Sequence, residues 1–187
     1  NIPTHYIMRE FPNIYEFDND GVGKFISSDL KDLHPKTTAY FVQDKDGYWR
    51  YYNEYGFPAI GSETIDGYDM YFHLGTHRQA KGEFVDIDGK VYYFDKDNGR
   101  KVKDTTFDFD GKTYVADQSG VLSIKSQSTE RNRYISDSEG NWYYVNDKGY
   151  LLLGAHTIDN VKVYFGTNGV QYKGHFAPDN HYYDKDN

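Results

Sequence analysis

The 187-residue sequence predicts an all-β protein, a β-solenoid of stacked short β-hairpin repeats. Three observations predict it. A block of the chain recurs at a shift of 93: Trp49, Tyr51, Asn53, Gly56, Gly61, Thr64, Ile65, Asp66, Tyr71 and Phe72 return as Trp142, Tyr144, Asn146, Gly149, Gly154, Thr157, Ile158, Asp159, Tyr164 and Phe165. Inside that long period, aromatic pairs recur mostly every 18 to 22 residues, from Tyr51-Tyr52 through Tyr71-Phe72 and Tyr93-Phe94 to Tyr164-Phe165 and Tyr182-Tyr183. Between the pairs stand turn formers such as "IDGY", "DIDG" and "DFDG". Asp-Gly supplies the positive φ that a tight hairpin turn requires.

Taken along the chain, the first candidate element is "SSDLKDLH" at 27–34, where a single helical turn is expected. The runs "YWRYYN", "KVYYFD" and "WYYVND" read as short strands. A strand, a turn and a strand within about 20 residues make one hairpin, and a hairpin alone is marginal in water. Stacked copies can share a buried aromatic seam. Residues 123–135, "SIKSQSTERNRYI", lengthen one aromatic step and read as a polar connection. The whole chain, 1–187, is expected to be one repeat domain, strongest at 40–116 and 134–187. It opens at Asn1 with neither a start Met nor a signal peptide and stops inside a recurring phrase, "HYYDKDN", so it reads as a piece of a larger protein.

Composition narrows the function. With 29 Asp and Glu against 21 Lys and Arg the chain carries a net charge of −8, which disfavours nucleic acid and anionic membrane as partners. No apolar run approaches the roughly 18 residues of a membrane span, so no membrane insertion is expected. The absence of Cys removes disulfides, thiolate nucleophiles and thiolate metal sites. Nearly all aspartates lie in turn phrases, where the side chain bonds local backbone. No pair of carboxylates, nucleophile motif or phosphate loop stands out, so no catalytic residue is assigned and no cofactor is expected. The segment 106–117, "TFDFDGKTYVAD", imitates a calcium loop in Asp108, Asp110, Gly111 and Asp117 but has Thr106 at the first ligand position. No metal ligand is assigned.

One polar pattern remains. "RQAKGEF" at 78–84 and "VQYKGHF" at 170–176 keep the skeleton Gln-x-Lys-Gly-x-Phe. Residues two apart in a strand share a side, so Gln79 and Lys81 project together, as do Gln171 and Lys173. Gln both donates and accepts, and Lys donates three bonds from a point charge. The pair suits a neutral ligand rich in hydroxyls, with a tyrosine ring on the adjacent hairpin as a flat platform for a sugar face. The plainer alternative is two solvated side chains on an exposed strand.

The phrases "GSETIDGYDMYF" and "GAHTIDNVKVYF", each followed by Gln-x-Lys-Gly, together with "EFVDIDGKVYYFDKDNG", resemble the YG-type glucan-binding repeats of bacterial glucansucrases such as dextransucrases. Choline-binding and clostridial toxin repeats share the aromatic-Gly rhythm, but choline-binding modules build their sites from several Trp and this chain has only two. The resemblance implies a non-catalytic, secreted or cell-surface bacterial module. It would bind α-glucan or isomalto-oligosaccharides beside a sucrose-using catalytic domain. One pocket would use Thr64, Tyr71, Gln79 and Lys81, closed by Tyr93. The other would use Thr157, Tyr164, Gln171 and Lys173, with Tyr182. A third unit, "YYFDKDNGRKVKD", has Lys101 where Gln is expected and Asp104 where Gly is expected, and its site is expected to be weak or dead. The alternative function is a cell-wall or receptor-glycan module of the choline-binding or toxin-repeat type. The extra residue ahead of Gln79 is expected to tilt the first pair.

Overall fold

A computed structural model describes residues 38–185 and, as backbone strands, Tyr6–Glu10, Asn13–Phe17 and Gly23–Ser27. The expected helical turn at 27–34 lies outside the described residues, apart from Ser27 at the end of a strand. Every regular element described is a strand. Contacts divide the chain into two units. The first comprises residues 1–63 and 71–79, the second 64–70 and 80–187.

In the first unit, β1 (Tyr6–Glu10), β2 (Asn13–Phe17) and β3 (Gly23–Ser27) form an antiparallel sheet in that order. β4 (Tyr40–Gln43) and β5 (Trp49–Tyr52) form the next hairpin, with Phe41 opposite Tyr51 and their rings 4.8 Å apart. Its seam continues to Phe72, 6.4 Å from the Tyr51 ring and fully buried. Phe72 closes β7 (Tyr68–Phe72), the partner of β6 (Gly61–Ile65); residues 64–70 of this hairpin are counted with the second unit.

The second unit is built from β8 (Glu83–Ile87) with β9 (Lys90–Phe94), β10 (Thr105–Phe109) with β11 (Lys112–Ala116), β12 (Leu122–Lys125), β13 (Arg133–Ser136) with β14 (Trp142–Val145), β15 (Tyr150–Leu151), β16 (Gly154–Ile158) with β17 (Val161–Phe165), and β18 (His175–Phe176) with β19 (Tyr182–Tyr183). The Asp-Gly phrases are the tight turns their residues imply. Asp88 and Gly89 have φ of 54° and 77°, and Asp110 and Gly111 have 46° and 71°. Two successive positive φ values are the type I′ requirement. At Asp159 the following Gly is replaced, and Asn160 takes φ 66° in its stead.

The core of this unit is an aromatic and aliphatic seam of Val91, Tyr93, Tyr114, Leu122, Ile124 and Leu153. Phe94 and Phe165, the strand-end residues equivalent to Phe72, are also fully buried. A six-stranded sheet runs β10-β11-β12-β15-β14-β13. It narrows the connection expected at 123–135: Leu122 and Ile124 are buried in β12, whose Ile124 pairs with Leu151, while Arg133 begins β13. Only 126–132 connects, because the alternation of "VLSIK" buries one side of a strand. The calcium-like segment 106–117 is largely the β10–β11 hairpin. Asp108 accepts from the Thr113 hydroxyl (2.6 Å), and Asp117 accepts from the Ser119 and Val121 N–H groups of the next turn.

Candidate functional site

Four of the described hairpins end in the same way. The chain turns after the second strand and returns as a single bridging residue paired with the strand end: Pro58 with Tyr52, Gln79 with Phe72, Lys101 with Phe94, Gln171 with Phe165. Three of these residues also reach the preceding hairpin. Gln79 N–H donates to the Trp49 carbonyl (2.7 Å), Lys101 N–H to that of Asp69 (2.7 Å), and Gln171 N–H to that of Trp142 (2.8 Å). Trp49, Asp69 and Trp142 are equivalent, each three residues before its strand end at Tyr52, Phe72 or Val145. The Gln-x-Lys segment is therefore a bridge and not a strand, because Gly82 and Gly174, at φ 67° and 74°, turn the chain immediately afterwards.

The extra residue ahead of Gln79 does not shift its bridge. The longer turn accommodates it by placing His77 at φ 57°, with His77 N–H donating to the His73 carbonyl and His73 N–H to that of Arg78. Gln79 thus keeps the pairing that Gln171 has with a turn one residue shorter.

The lysine two residues past the bridge reaches the position occupied by Trp142 or Asp69. Lys173 Nζ lies 6.0 Å from the Trp142 ring centroid. Lys103 Nζ lies 2.8 Å from Asp69 Oδ2. Trp142 is 43% exposed, whereas Gln171 is 8% exposed. A half-open indole thus stands beside an ammonium, and the largely buried Gln171 is joined to the same residue through its backbone.

The other expected site residues are distributed between interior and surface. Tyr71 and Gln79 lie in the first unit, and Thr64, Lys81 and Tyr93 in the second. Tyr71 is half-buried, its ring edge-on to His73, and Gln79 is 7% exposed. The Thr64 hydroxyl donates to Asp69 Oδ1 (3.0 Å), and Lys81 Nζ donates to the Asp97 carbonyl (2.8 Å). Tyr93 is buried between Phe84 and Phe107, at 4.9 and 4.8 Å between centroids. Tyr164 is 1% exposed, packs against Tyr172 and Tyr183, and donates its hydroxyl to Asp86 Oδ2 (2.7 Å). Burial, reinforced by Asp86, holds the Tyr164 phenol far above its ordinary pKa. The Tyr93 and Tyr164 rings therefore present no open face. Thr157 is exposed on β16, and Tyr182 is 56% exposed, edge-on to Phe176.

Trp142 and Trp49 were not among the site residues expected from sequence. Their signal was present: both head the block repeated at 93, and they precede Gln171 and Gln79 by 29 and 30 residues.

Two stretches of these hairpins, residues 59–107 and 152–187, match the choline-binding repeat family. More particularly, the chain is homologous to a segment of streptococcal glucosyltransferases. It is 31% identical over 144 residues to glucosyltransferase-S and 35% identical over 148 residues to glucosyltransferase-I, both of Streptococcus mutans serotype c. Each match takes in 77% of this chain but 8% of the relative's length, so the matched segment is a small part of those enzymes. An alternansucrase in complex with isomaltononaose aligns over 98% of this chain and 18% of its own at 21% identity, with a TM-score of 0.40, too low to equate the two topologies.

Proposed function

We propose that this chain is a non-catalytic module that binds α-glucan of the dextran type and keeps polymer near a glucansucrase catalytic domain outside the bacterial cell. The observation that carries the reading is the slot at Trp142. Its half-exposed indole offers a flat apolar face for a glucosyl ring, with the Lys173 ammonium beside it to donate to hydroxyls. Gln171, anchored by its backbone to the Trp142 carbonyl, supplies the floor. Thr157 and Tyr182, exposed on the neighbouring hairpins, enter as secondary contacts. Trp49 and Gln79 form the equivalent pair in the first unit, where Tyr71 also lies. Homology to enzymes named for glucosyl transfer supports a glucose polymer as the ligand.

The choline-type reading has the family match in its favour. A quaternary ammonium, however, is held by a cage of aromatic faces, and here the indole already has a lysine ammonium alongside. A second cation would be repelled.

Each slot is shallow and is expected to bind in the millimolar range, about −4 kcal/mol. In dextran-containing gels the wild-type protein should be retarded and Trp49→Ala/Trp142→Ala should migrate freely. Lys173→Ala should weaken binding at its own slot roughly fivefold, the value of about 1 kcal/mol. Retention of full retardation by the double Trp variant, with its circular dichroism intact, overturns the reading.

A further inference from the structure

The third copy of the slot has the same backbone and different side chains. Lys101 occupies the bridge that Gln79 and Gln171 occupy elsewhere, and its N–H donates to the Asp69 carbonyl as theirs do to the Trp49 and Trp142 carbonyls. Asp69 thus takes the place of the indole. The two changes go together: where the platform is Trp the bridge is Gln, and where the platform is Asp the bridge is Lys.

The side chains explain the coupling. Lys103, equivalent to Lys173, places Nζ 2.8 Å from Asp69 Oδ2, and Lys101 Nζ lies 3.8 Å from the same oxygen. The Thr64 hydroxyl donates to the other carboxylate oxygen (3.0 Å). Lys101 also lies over the Tyr92 ring, 4.7 Å from its centroid, and its side chain is only 15% exposed. The stems of both lysines pack on Gly120, where an added Cβ would meet Lys101 Cδ at 2.9 Å and Lys103 Cγ at 3.1 Å. The carboxylate is thus bonded at both oxygens and the lysine beneath it is held by ring, backbone and ion pair. A neutral sugar entering here would have no apolar face to stack on. It would also have to displace charge-assisted bonds that its hydroxyls replace poorly.

We infer that the residues at 69 and 101 act as a matched pair that determines whether a slot accepts glucan, and that Asp69 with Lys101 and Lys103 forms a closed copy of the Trp142 slot. The inference rests on the proposed glucan binding and adds the residues that decide which slots take part.

The test uses the full chain and tryptophan fluorescence with isomaltotriose. Trp49→Phe/Trp142→Phe removes both native reporters. In that background, Asp69→Trp/Lys101→Gln should give a saturable emission change, with a dissociation constant within about tenfold of wild type. Asp69→Trp alone should give none, because Lys101 stays beneath the new indole. An equal response from the single and paired substitutions would show that position 101 does not matter and overturn the inference. No response from the paired variant, when circular dichroism shows it folded and wild type responds, would also overturn it while leaving the proposed function standing. No response from wild type itself would remove the proposed function, and the inference with it.

Discussion

Asp86 shows how much one side chain can join. Its Oδ1 accepts from Gly89 N–H at its own turn (2.9 Å), and its Oδ2 accepts from the Tyr164 hydroxyl 78 residues later. Tyr164→Phe keeps the ring packing and deletes that bond, so urea unfolding should show a loss of about 2 kcal/mol. His156 tests the interior by pH. Its half-buried ring donates from Nε2 to the Leu153 carbonyl (2.9 Å), and burial lowers its pKa from the ordinary 6.5. A lowered pKa means that the unfolded chain binds the proton more readily. The stability His156 contributes is therefore present above pH 6.5 and lost as the pH falls below it. His156→Gln should flatten the slope of stability against pH in that window, measured by chemical denaturation.

At the level of elements, the hairpins are joined by backbone as much as by side chains. Ala155 N–H donates to the Gly89 carbonyl (2.7 Å), seating β16 on the turn between β8 and β9. That approach needs Gly154. Its φ is +80°, and an added Cβ would lie 2.3 Å from the Gly89 oxygen. Gly56 has a similar φ of +82° with nothing within 4 Å of its Cβ position. Gly56→Ala should therefore cost about 1 kcal/mol, the backbone term alone, and Gly154→Ala clearly more, about 3 kcal/mol or above. Equal midpoints in thermal unfolding would contradict the close approach. The turns between hairpins were harder to read. The extra residue before Gln79 was visible as a one-residue change of shift, but its accommodation by His77 depends on a local left-handed backbone that no pattern of residue types announces.

For the whole molecule, charge and ligand can be set against each other. The chain carries −8, and dextran carries no charge. Binding by stacking and hydroxyl contacts should change by less than about twofold when ionic strength rises tenfold, because screening acts on paired charges and not on a neutral sugar. Retardation in dextran gels at low and high salt measures this. A steep fall with salt would point to an anionic polymer instead. Two weak slots on one polymer also raise apparent affinity through effective concentration, so dextran should retard the chain at glucose concentrations where isomaltotriose competes poorly.

The all-β hairpin repeat was determined by the sequence itself. Its period of aromatic pairs and its Asp-Gly turns are local devices, and hairpins depend on residues close together in the chain. The Gln-x-Lys pairs were legible for the same reason, through exact recurrence. Which aromatic ring stands open was decided only by tertiary packing. Tyr71, Tyr93, Tyr164 and Tyr182 occupy similar phrases, yet Tyr93 and Tyr164 are buried while Tyr182 is 56% exposed. A neighbouring hairpin covers some rings and leaves others bare, and Trp142 meets Lys173 across 31 residues of chain only because the bridge at Gln171 docks on its carbonyl. Burial of a ring is a property of what folds over it, and that partner lies beyond the reach of any local pattern.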